Sequence, residues 1–251
     1  RNLDEIDIGE KSFAIRQIDG NKLKSEEISI LIGEKISINN KTELRDPDVT
    51  ILFYKNKKFN ISLTYDDWDT GYKKCLKHHI SHRPYFSPIS IHPRIARAMV
   101  NLSNCNYKEP VIDPFCGTGG ILIEGADMGF NVAGIDLKEK MIEFSKGNLK
   151  HYEFEANLIH SDFKEIKNMD FSSIVCDPPY GIASTTGGES IGELMKRCLD
   201  VFQSAMKKKQ RLVIAVSNAS TVRHKNLKLL HKFEWYIHKS LTRNIIVLEK
   251  N

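Results

Sequence analysis

The chain of 251 residues lacks the features that mark several broad classes of protein. No apolar run approaches the length of a membrane span, and no signal peptide is visible. There is no internal repeat or low-complexity tract, and no C-x-x-C pair among five scattered cysteines, which argues for reduced thiols. The histidines have no partners at metal-ligand spacing. We therefore predict a cytoplasmic protein without a membrane or a metal.

The excess of positive charge is small and unevenly distributed. The net charge is +5, and residues 1–80 carry equal numbers of acidic and basic side chains, so the excess lies beyond them. One basic cluster includes Lys73, Lys74, Lys77 and Arg83. Such a cluster is either a nucleic-acid contact or a solvated surface.

The pattern of the first 91 residues predicts a small α+β unit followed by a linker. "KSFAIRQID" reads as a strand, "KSEEISILIGEKI" as a helix capped by Ser25, and "VTILFYKNKKFNISLTYD" as a β-hairpin. Residues 69–91 are polar and basic, which predicts a linker after a domain at 1–68. Because the sequence begins with Arg1 rather than Met, we expect it to be a piece of a longer chain.

From residue 92 onward, strands and helices alternate. This alternation predicts a mostly parallel α/β sheet over residues 92–251. "TVRHKNLKLLHK" reads as a helix, and "FEWYIHKSL" and "RNIIVLEK" read as two final strands on a tight turn near Thr242, which must be antiparallel.

Four acidic residues stand at the ends of successive predicted strands: Asp113, Asp136, Asp162 and Asp177. Ligands bind at the carboxyl ends of the strands in such a sheet. The first is followed by a glycine-rich turn, "DPFCGTGG", which is neither G-x-G-x-x-G nor a Walker loop, so no pyrophosphate is implied. Asp136 is spaced to accept ribose hydroxyls, and Asp162 to accept an exocyclic amine. The set describes a site for an adenosine-containing ligand.

The motifs "DPFCGTGG", "GIDL", "SDF" and "DPPYG" together resemble the class I S-adenosylmethionine-dependent methyltransferases, in the branch that methylates exocyclic amines. The resemblance implies a Rossmann-like sheet with an antiparallel C-terminal hairpin and S-adenosylmethionine as cofactor. It implies that the cofactor is bound by Asp113, Pro114, Phe115, Cys116, Gly117, Thr118, Gly119, Gly120, Asp136, Leu137, Asp162, Phe163 and Asp177.

The stretch "DPPYG" carries the catalytic group that the resemblance implies, which is Asp177, Pro178, Pro179 and Tyr180. An aryl amine is a poor nucleophile, so a carboxylate and a backbone carbonyl that bind its N–H groups would direct its lone pair. Prolines fix φ and leave no competing N–H. Tyr180 offers a flat face to a base taken out of its stack. The hydroxyl-rich segment 181–188 is either a loop near the target base or a plain surface loop.

The segment before the predicted sheet indicates which class of substrate the chain acts on. Residues 12–65 resemble a THUMP domain, an RNA-binding module of tRNA-modifying enzymes, and "SHRPYFSPISIHPRIARAMVNLS" is similar to the stretch that leads into the catalytic domain of THUMP methyltransferases. The whole looks most like the archaeal-type tRNA guanosine methyltransferases that act at position 10. This implies a partial THUMP-like module, tRNA as partner, a monomer, and RNA contacts by Lys73, Lys74, Lys77 and Arg83.

Three alternatives remain open. A THUMP methyltransferase for guanosine 6 would share these motifs. A DNA adenine-N6 or cytosine-N4 methyltransferase would share D-P-P-Y but lack the THUMP-like segment. A catalytically silent RNA-binding protein would be expected to lose Asp177 or the glycines, and both are present. Cys116 and Cys176 flank the predicted site, and we expect them to pack as small apolar groups rather than act as nucleophiles.

Overall fold

A computed structural model describes residues 8–17, 30, 32–34, 36, 40–45, 47–55, 59–65, 72–87, 90–179, 190–238 and 241–251. The chain divides into two compact units, Arg1–Gly71 and Tyr72–Asn251.

The first unit contains a three-stranded sheet. Its strands are β1 (Phe13–Gln17), β2 (Val49–Lys55) and β3 (Phe59–Tyr65), and β2 pairs parallel with β1 and antiparallel with β3. Residues 30, 32–34 and 36 are helical, and Ile32 packs in the core with Phe13 and Phe53. The predicted strand, hairpin and α+β character are confirmed, whereas Ser25 lies outside the described residues.

The second unit is an open α/β sheet of seven strands. Its strand order is β6-β5-β4-β7-β8-β10-β9, in which β10 is antiparallel to both neighbours and the other pairings are parallel. The predicted Rossmann-like sheet with an antiparallel C-terminal hairpin is thereby confirmed. The strands are β4 (Val111–Asp113), β5 (Val132–Asp136), β6 (Asn157–His160), β7 (Ser173–Cys176), β8 (Arg211–Val216), β9 (Leu227–His238) and β10 (Leu241–Lys250). The helices are α1 (Tyr72–Lys77), α2 (Pro93–Leu102), α3 (Gly120–Asp127), α4 (Glu139–His151) and α5 (Ile191–Ala205).

Both faces of the central strands β4, β5, β7 and β8 are buried, which explains why these strands read as continuous apolar runs. Along β7, Ile174 and Cys176 pack with residues of α5, while Val175 between them packs with residues of α2 on the opposite face. The same alternation holds in β10, where Ile245 and Ile246 enter different clusters. A core on each face holds the strand ends in fixed relative positions, which is what a site built at those ends requires.

The helix predicted for "TVRHKNLKLLHK" is wrong. A short 3-10 turn, Ala219–Thr221, is followed by β9, which begins at Leu227. β9 pairs with β10 from Leu227 opposite Lys250 to His238 opposite Leu241. This long antiparallel ladder satisfies the backbone of the segment and overrides the local helical spacing of its leucines.

The segment predicted as a linker at 69–91 contains α1 and a 3-10 turn, Ile80–His82, and residues from Tyr72 onward group with the second unit. His78 and Arg83 in this segment are buried. In the described part of the chain, no helix has the length and apolar character needed to cross a membrane.

Candidate functional site

Four carboxylates stand at one rim of the sheet. β4 ends at Asp113, β5 ends at Asp136, Asp162 follows β6 by two residues, and Asp177 directly follows β7. These four strands are adjacent and parallel in the order β6-β5-β4-β7. Their carboxyl ends therefore lie along the same edge, as the sequence pattern predicts.

The turn after β4 is held by two of these carboxylates. The backbone N–H of Phe115 donates to Oδ1 of Asp113 at 3.0 Å, and the N–H of Gly117 donates to Oδ2 of Asp136 at 3.0 Å. Asp113 is buried, and burial, together with the nearby charges of Asp177 and Asp136, raises its pKa well above the usual value although the Phe115 N–H lowers it. Asp113 is thus a structural support beneath the turn.

The glycines of this turn are required by its geometry. Gly117 and Gly119 have φ of +52° and +83°, which favours glycine. A Cβ on Gly119 would lie 2.6 Å from Oγ of Ser145, and one on Gly120 would lie 3.1 Å from Nη1 of Arg83. Glycine is therefore required at positions 119 and 120 because Ser145 and Arg83 pack directly against the backbone at the start of α3.

The side chains of Asp136 and Leu137 lie beside this turn. Besides Gly117, the Asp136 carboxylate accepts the N–H of Lys138 on Oδ1 at 2.9 Å, and each oxygen retains a lone pair for another donor. Leu137 is 67% exposed, although it is a large apolar residue next to the rim. An exposed leucine beside a carboxylate can cover a flat aromatic ring while the carboxylate binds the hydroxyls of a sugar attached to that ring.

Asp162 and Phe163 lie at the end of β6. Oδ1 of Asp162 accepts the N–H of Lys164 at 3.0 Å and caps a 3-10 turn, Phe163–Asn168. The ring of Phe163 is buried, and its centroid lies 5.4 Å from that of Phe115. The guanidinium of Arg197 lies over the same ring at 4.9 Å. Asp162 is therefore positioned by the turn that it caps. Its Oδ2 lies 3.9 Å from Nη1 of Arg197.

Asp177 is held in place by Arg243, a residue that no sequence motif marks. Nη1 of Arg243, on β10, donates to Oδ2 of Asp177 at 3.1 Å, and both side chains are largely buried, at 7% and 12% exposure. Oδ1 of Asp177 is buried and has no hydrogen-bond partner among the described residues. Burial raises the pKa of Asp177 to about 7, and Arg243 opposes this rise. Oδ2 of Asp177 is thus fixed by Arg243, whereas Oδ1 can still accept a hydrogen bond.

Pro178 is buried and Pro179 half-buried directly after Asp177. Tyr180 and the segment 181–188 lie outside the described residues. Pro114 and Thr118 of the glycine-rich turn are buried, and the Oγ1 of Thr118 lies 3.0 Å from Oγ of Ser90.

The two cysteines that flank the rim are poor candidates for nucleophiles. Cys116 and Cys176 are buried, and burial raises the pKa of both thiols well above 9.0, helped by the carboxylate of Asp113. A protonated, buried thiol does not attack. The structure supports their interpretation as packing residues.

The basic residues predicted to contact RNA fall in different environments. Lys77 is exposed on α1, and Lys73 and Lys74 belong to the same helix, with side chains outside the described set. Arg83 is instead only 4% exposed. The structure therefore removes Arg83 from an accessible basic surface, because a buried guanidinium cannot reach a phosphate backbone.

His78, Glu124 and Asp127 have ligand atoms close enough to hold a metal ion. Nη1 of Arg97, however, lies 3.2 Å from Oε2 of Glu124 and 2.6 Å from Oδ2 of Asp127, and Nδ1 of His78 lies 2.9 Å from Oε1 of Glu124. One oxygen of each carboxylate is thus paired with the guanidinium of Arg97, so the cluster is an ion-pair network between α2 and α3.

A cavity of about 720 Å³ lies beyond the end of β8. Its lining includes Arg223, His224, Lys232 and Asn244, with no carboxylate among the described residues that line it. The cavity is thus separate from the four rim carboxylates.

Comparison with known proteins identifies relatives of the second unit. Residues 81–236 match the family described as "RMKL-like, methyltransferase domain". A tRNA (guanine(10)-N2)-dimethyltransferase of Methanothermobacter thermautotrophicus is 37% identical over 173 residues, covering 67% of this chain and 52% of that protein. The chain thus spans about half the length of this relative.

Two further matches extend over nearly the whole chain. A tRNA (guanine(10)-N2)-dimethyltransferase of Methanocaldococcus jannaschii is 30% identical over 272 residues, covering 99% of this chain and 74% of that protein. The crystal structure of TrmN from Thermus thermophilus superposes with a TM-score of 0.58 at 18% identity, covering 96% of this chain and 72% of that one. The structural match concerns the fold.

Proposed function

Because the chain belongs to the RMKL-like methyltransferase domain family, we propose that it transfers a methyl group from S-adenosylmethionine to the exocyclic N2 amine of a guanosine in tRNA. The observation that carries this proposal is the carboxylate of Asp177. It stands at the end of β7, with Oδ2 fixed by Arg243 and Oδ1 without a hydrogen-bond partner among the described residues.

The residues at the rim fit S-adenosylmethionine. At Gly117 the space that a Cβ would occupy is nearly open, with the carbonyl oxygen of Phe115 at 4.0 Å, so a ligand can approach the backbone closely. Asp136 has acceptor capacity for ribose hydroxyls, exposed Leu137 would cover the adenine, and Asp162 would accept its exocyclic amine. The cofactor supplies an electrophilic methyl group on a sulfonium.

Asp177 acts on the target amine. Oδ1 of Asp177, which has no partner among the residues that the structure describes, would accept one N–H of the amine. The carbonyl of Pro178 would accept the other N–H, and the nitrogen lone pair is then directed away from both acceptors. This orientation, together with an acceptor fixed before the substrate arrives, lowers the barrier for a weakly nucleophilic amine. The methylated amine then loses a proton to Asp177 or to water. Tyr180, whose placement is not described, keeps the base-stacking role that the family resemblance implies.

Arg243 keeps this carboxylate usable near neutral pH. Burial alone favours the protonated acid, which cannot accept two hydrogen bonds as a carboxylate does. The cation at 3.1 Å favours the ionised form, so Asp177 titrates at about 7 rather than higher. Arg243 is therefore a positioning residue, because it acts through Asp177.

The names of the relatives favour position 10 of tRNA as the target. The THUMP-like resemblance of residues 12–65, and the small α+β unit that they form, support an RNA partner rather than DNA. We further propose that the protein acts as a cytoplasmic monomer. Methylation of guanosine 6 is the second candidate, which the shared motifs do not separate from the first.

The proposal is tested by incubating unmodified tRNA with the chain and methyl-labelled S-adenosylmethionine, followed by mass-spectrometric nucleoside analysis. Labelled N2-methylguanosine or N2,N2-dimethylguanosine is the expected product. Labelled adenosine, or label in DNA offered in parallel, would reject the guanosine assignment. Mapping by nuclease fragments then separates position 10 from position 6.

A further inference from the structure

The cavity of about 720 Å³ beyond β8 is not used by the chemistry proposed above. It begins at Ser217, directly after β8, and continues along one face of β10, where Asn244, Ile246 and Leu248 line it. Its volume lies in the range of pockets that hold small organic ligands, about 300–1,000 Å³. A cavity of this size at the carboxyl end of a strand is a candidate ligand site.

The floor of this cavity is apolar, and its wall includes a large exposed side chain. Val222, Leu227 and Ile246 are buried, whereas Leu229 on the edge strand β9 is 56% exposed. Leu229 lies opposite Leu248 in the ladder between β9 and β10, and both line the cavity. An exposed leucine in the wall of a cavity offers the surface that a flat apolar ring, such as a nucleobase, would cover.

The ionisable side chains in the lining are basic, and one of them has no ion pair among the residues that the structure describes. Nε2 of His224 lies 3.2 Å from Oδ1 of Asp200, and Nζ of Lys232 lies 2.9 Å from Oε1 of Glu234. Arg223 is exposed and pairs with none of the described carboxylates. Because a guanidinium forks onto phosphate oxygens, Arg223 favours a ligand that carries a phosphate.

Two side-chain amides give the cavity a donor and an acceptor. Nδ2 of Asn244 donates to the carbonyl of Ser217 at 3.2 Å, so its Oδ1 remains an acceptor. Oδ1 of Asn218 accepts the N–H and the Oγ–H of Ser220 at 3.0 and 2.8 Å, so its Nδ2 remains a donor. A donor and an acceptor side by side match the edge of an unpaired base.

The cavity begins next to the carboxylate that is proposed to receive the target amine. β8 lies between β7, which ends directly before Asp177, and β10. Asn244 is opposite Val216 at the end of β8, and it follows Arg243, which contacts Asp177. Neighbouring strands are about 4.7–4.9 Å apart, so one or two strand spacings separate the start of the cavity from Asp177. The nucleotides next to the target in an unstacked RNA strand can span that distance.

We propose that this cavity holds a nucleotide of tRNA that lies within three positions of the methylated guanosine. The inference rests on the proposed function for tRNA as the substrate. The base would lie against Leu229 with its edge towards Asn218 and Asn244, and its phosphate would contact Arg223. Residues 221–238 carry four Lys or Arg side chains and one Glu, and this positive excess favours a nucleotide that belongs to a polyanion.

Double-mutant cycles between the cavity and the tRNA test this placement. A single abasic nucleotide is introduced at each of the three positions on either side of the target guanosine, and tRNA affinity is measured by filter binding. At one position, removal of the base is expected to weaken binding to the wild-type chain about five- to thirtyfold, and binding to Leu229→Asn by less than about twofold. A base that does not contact Leu229 gives the same loss with both proteins.

Phe233→Asn is the matched control for Leu229→Asn. Phe233 is exposed on the same strand, but it lies opposite Ile245, which packs on the other face of the sheet. It is expected to keep the wild-type loss at every abasic position.

The phosphate contact is tested with a second pair of variants. Arg223→Gln is expected to weaken binding of intact tRNA about three- to tenfold and to reduce the slope of log K against log salt by about 0.7–0.9. Lys225→Gln changes the net charge equally at an exposed neighbour outside the cavity lining, and it is expected to change affinity by less than about twofold.

The inference is overturned if no abasic position gives a smaller loss with Leu229→Asn than with the wild type, or if Phe233→Asn shows the same coupling. Calorimetry with the four nucleoside 5′-monophosphates distinguishes the source of the nucleotide. A free nucleotide bound at micromolar affinity, without coupling in tRNA, would also overturn it. Methyl transfer measured in parallel separates the two proposals: coupling without transfer rejects the proposed function alone, and transfer without coupling rejects this inference alone.

Discussion

At the scale of single residues, the carboxyl group of Asp177 is subject to two opposing influences. Burial favours its protonated form, and Arg243 at 3.1 Å favours its ionised form. Because an ionised carboxylate is needed to accept the target amine, the balance between them sets the pH range in which the chain can act.

The pH dependence of kcat/KM for tRNA should therefore rise through about pH 7 in the wild type. As pH falls through this value, Asp177 takes up a proton and activity is lost. In Arg243→Met the opposing cation is gone, so the pKa of Asp177 rises and the ascending limb moves to higher pH. Rate profiles over pH 5.5–9 measure this shift, about one unit being readily detected.

Lys232→Met is the control for that shift. Lys232 forms an exposed ion pair with Glu234 at 2.9 Å on β9, so its removal breaks a pair in the same hairpin without contacting Asp177. An ascending limb that moves equally in both variants would show that Arg243 does not act through Asp177.

Replacement of Asp177 should separate chemistry from cofactor binding. Asp177→Ala removes the acceptor for the amine and should lower the methylation rate by about three orders of magnitude or more, the scale for a preorganised polar group. Its affinity for S-adenosylhomocysteine, measured by calorimetry, should stay within about threefold of the wild type. An equal loss of methylation rate and of affinity for S-adenosylhomocysteine would place Asp177 in the cofactor site.

Some of these residues could be found in the sequence and others could not. The four aspartates are visible because each ends an apolar run, a local pattern. Arg243 follows no such pattern, since it is separated from Asp177 by 66 residues and meets it only through the order of strands in the sheet. The basic neighbours of Arg83 predict an RNA-facing side chain, whereas its burial depends on packing that charge clustering does not reveal.

At the scale of elements, the turn between β4 and α3 depends on glycine. Gly119 combines a left-handed φ of +83° with a close approach to Ser145 on α4. The turn therefore joins two elements as well as offering backbone to a ligand.

Gly119→Ala should weaken binding of S-adenosylhomocysteine at least tenfold and lower the free energy of unfolding by about 1–3 kcal/mol. The new Cβ would strain the left-handed backbone and would clash with the side chain of Ser145. Gly192→Ala in the first turn of α5 is the matched control, since a Cβ there has nothing within 4 Å. It should leave affinity unchanged and stability equal or slightly higher. Calorimetry and denaturant unfolding give both quantities, and equal effects of the two substitutions would contradict this account of the turn.

The central parallel strands of the sheet can be predicted from the sequence, whereas the edge strand β9 cannot. β4, β5, β7 and β8 are buried on both faces, so their apolar runs stand out against polar helices. β9 is an edge strand with exposed Leu229, Phe233 and Tyr236, and its mixed pattern does not alternate cleanly. Its strand conformation follows from pairing with β10, a contact that local sequence does not encode.

At the scale of the whole molecule, binding of tRNA should depend on exposed cations and on salt. Lys77→Glu should lower tRNA affinity and reduce the slope of log K against log salt by about 0.7–0.9, without changing affinity for S-adenosylhomocysteine. Lys207→Glu is the control, since Lys207 already pairs with Glu109 at 2.9 Å and Asp170 at 3.1 Å. Filter binding between 50 and about 300 mM salt measures the slopes. Equal slopes for Lys77→Glu and the wild type would remove α1 from the RNA surface.

The central claim, methyl transfer to the N2 amine of one tRNA guanosine, is tested most directly with inosine. Inosine is guanosine without that amine. Two tRNA transcripts are compared, one with inosine at position 10 and one with inosine at position 6, in reactions with methyl-labelled S-adenosylmethionine. The account predicts loss of label from the first transcript and full labelling of the second. Full labelling of the transcript with inosine at position 10 would contradict it.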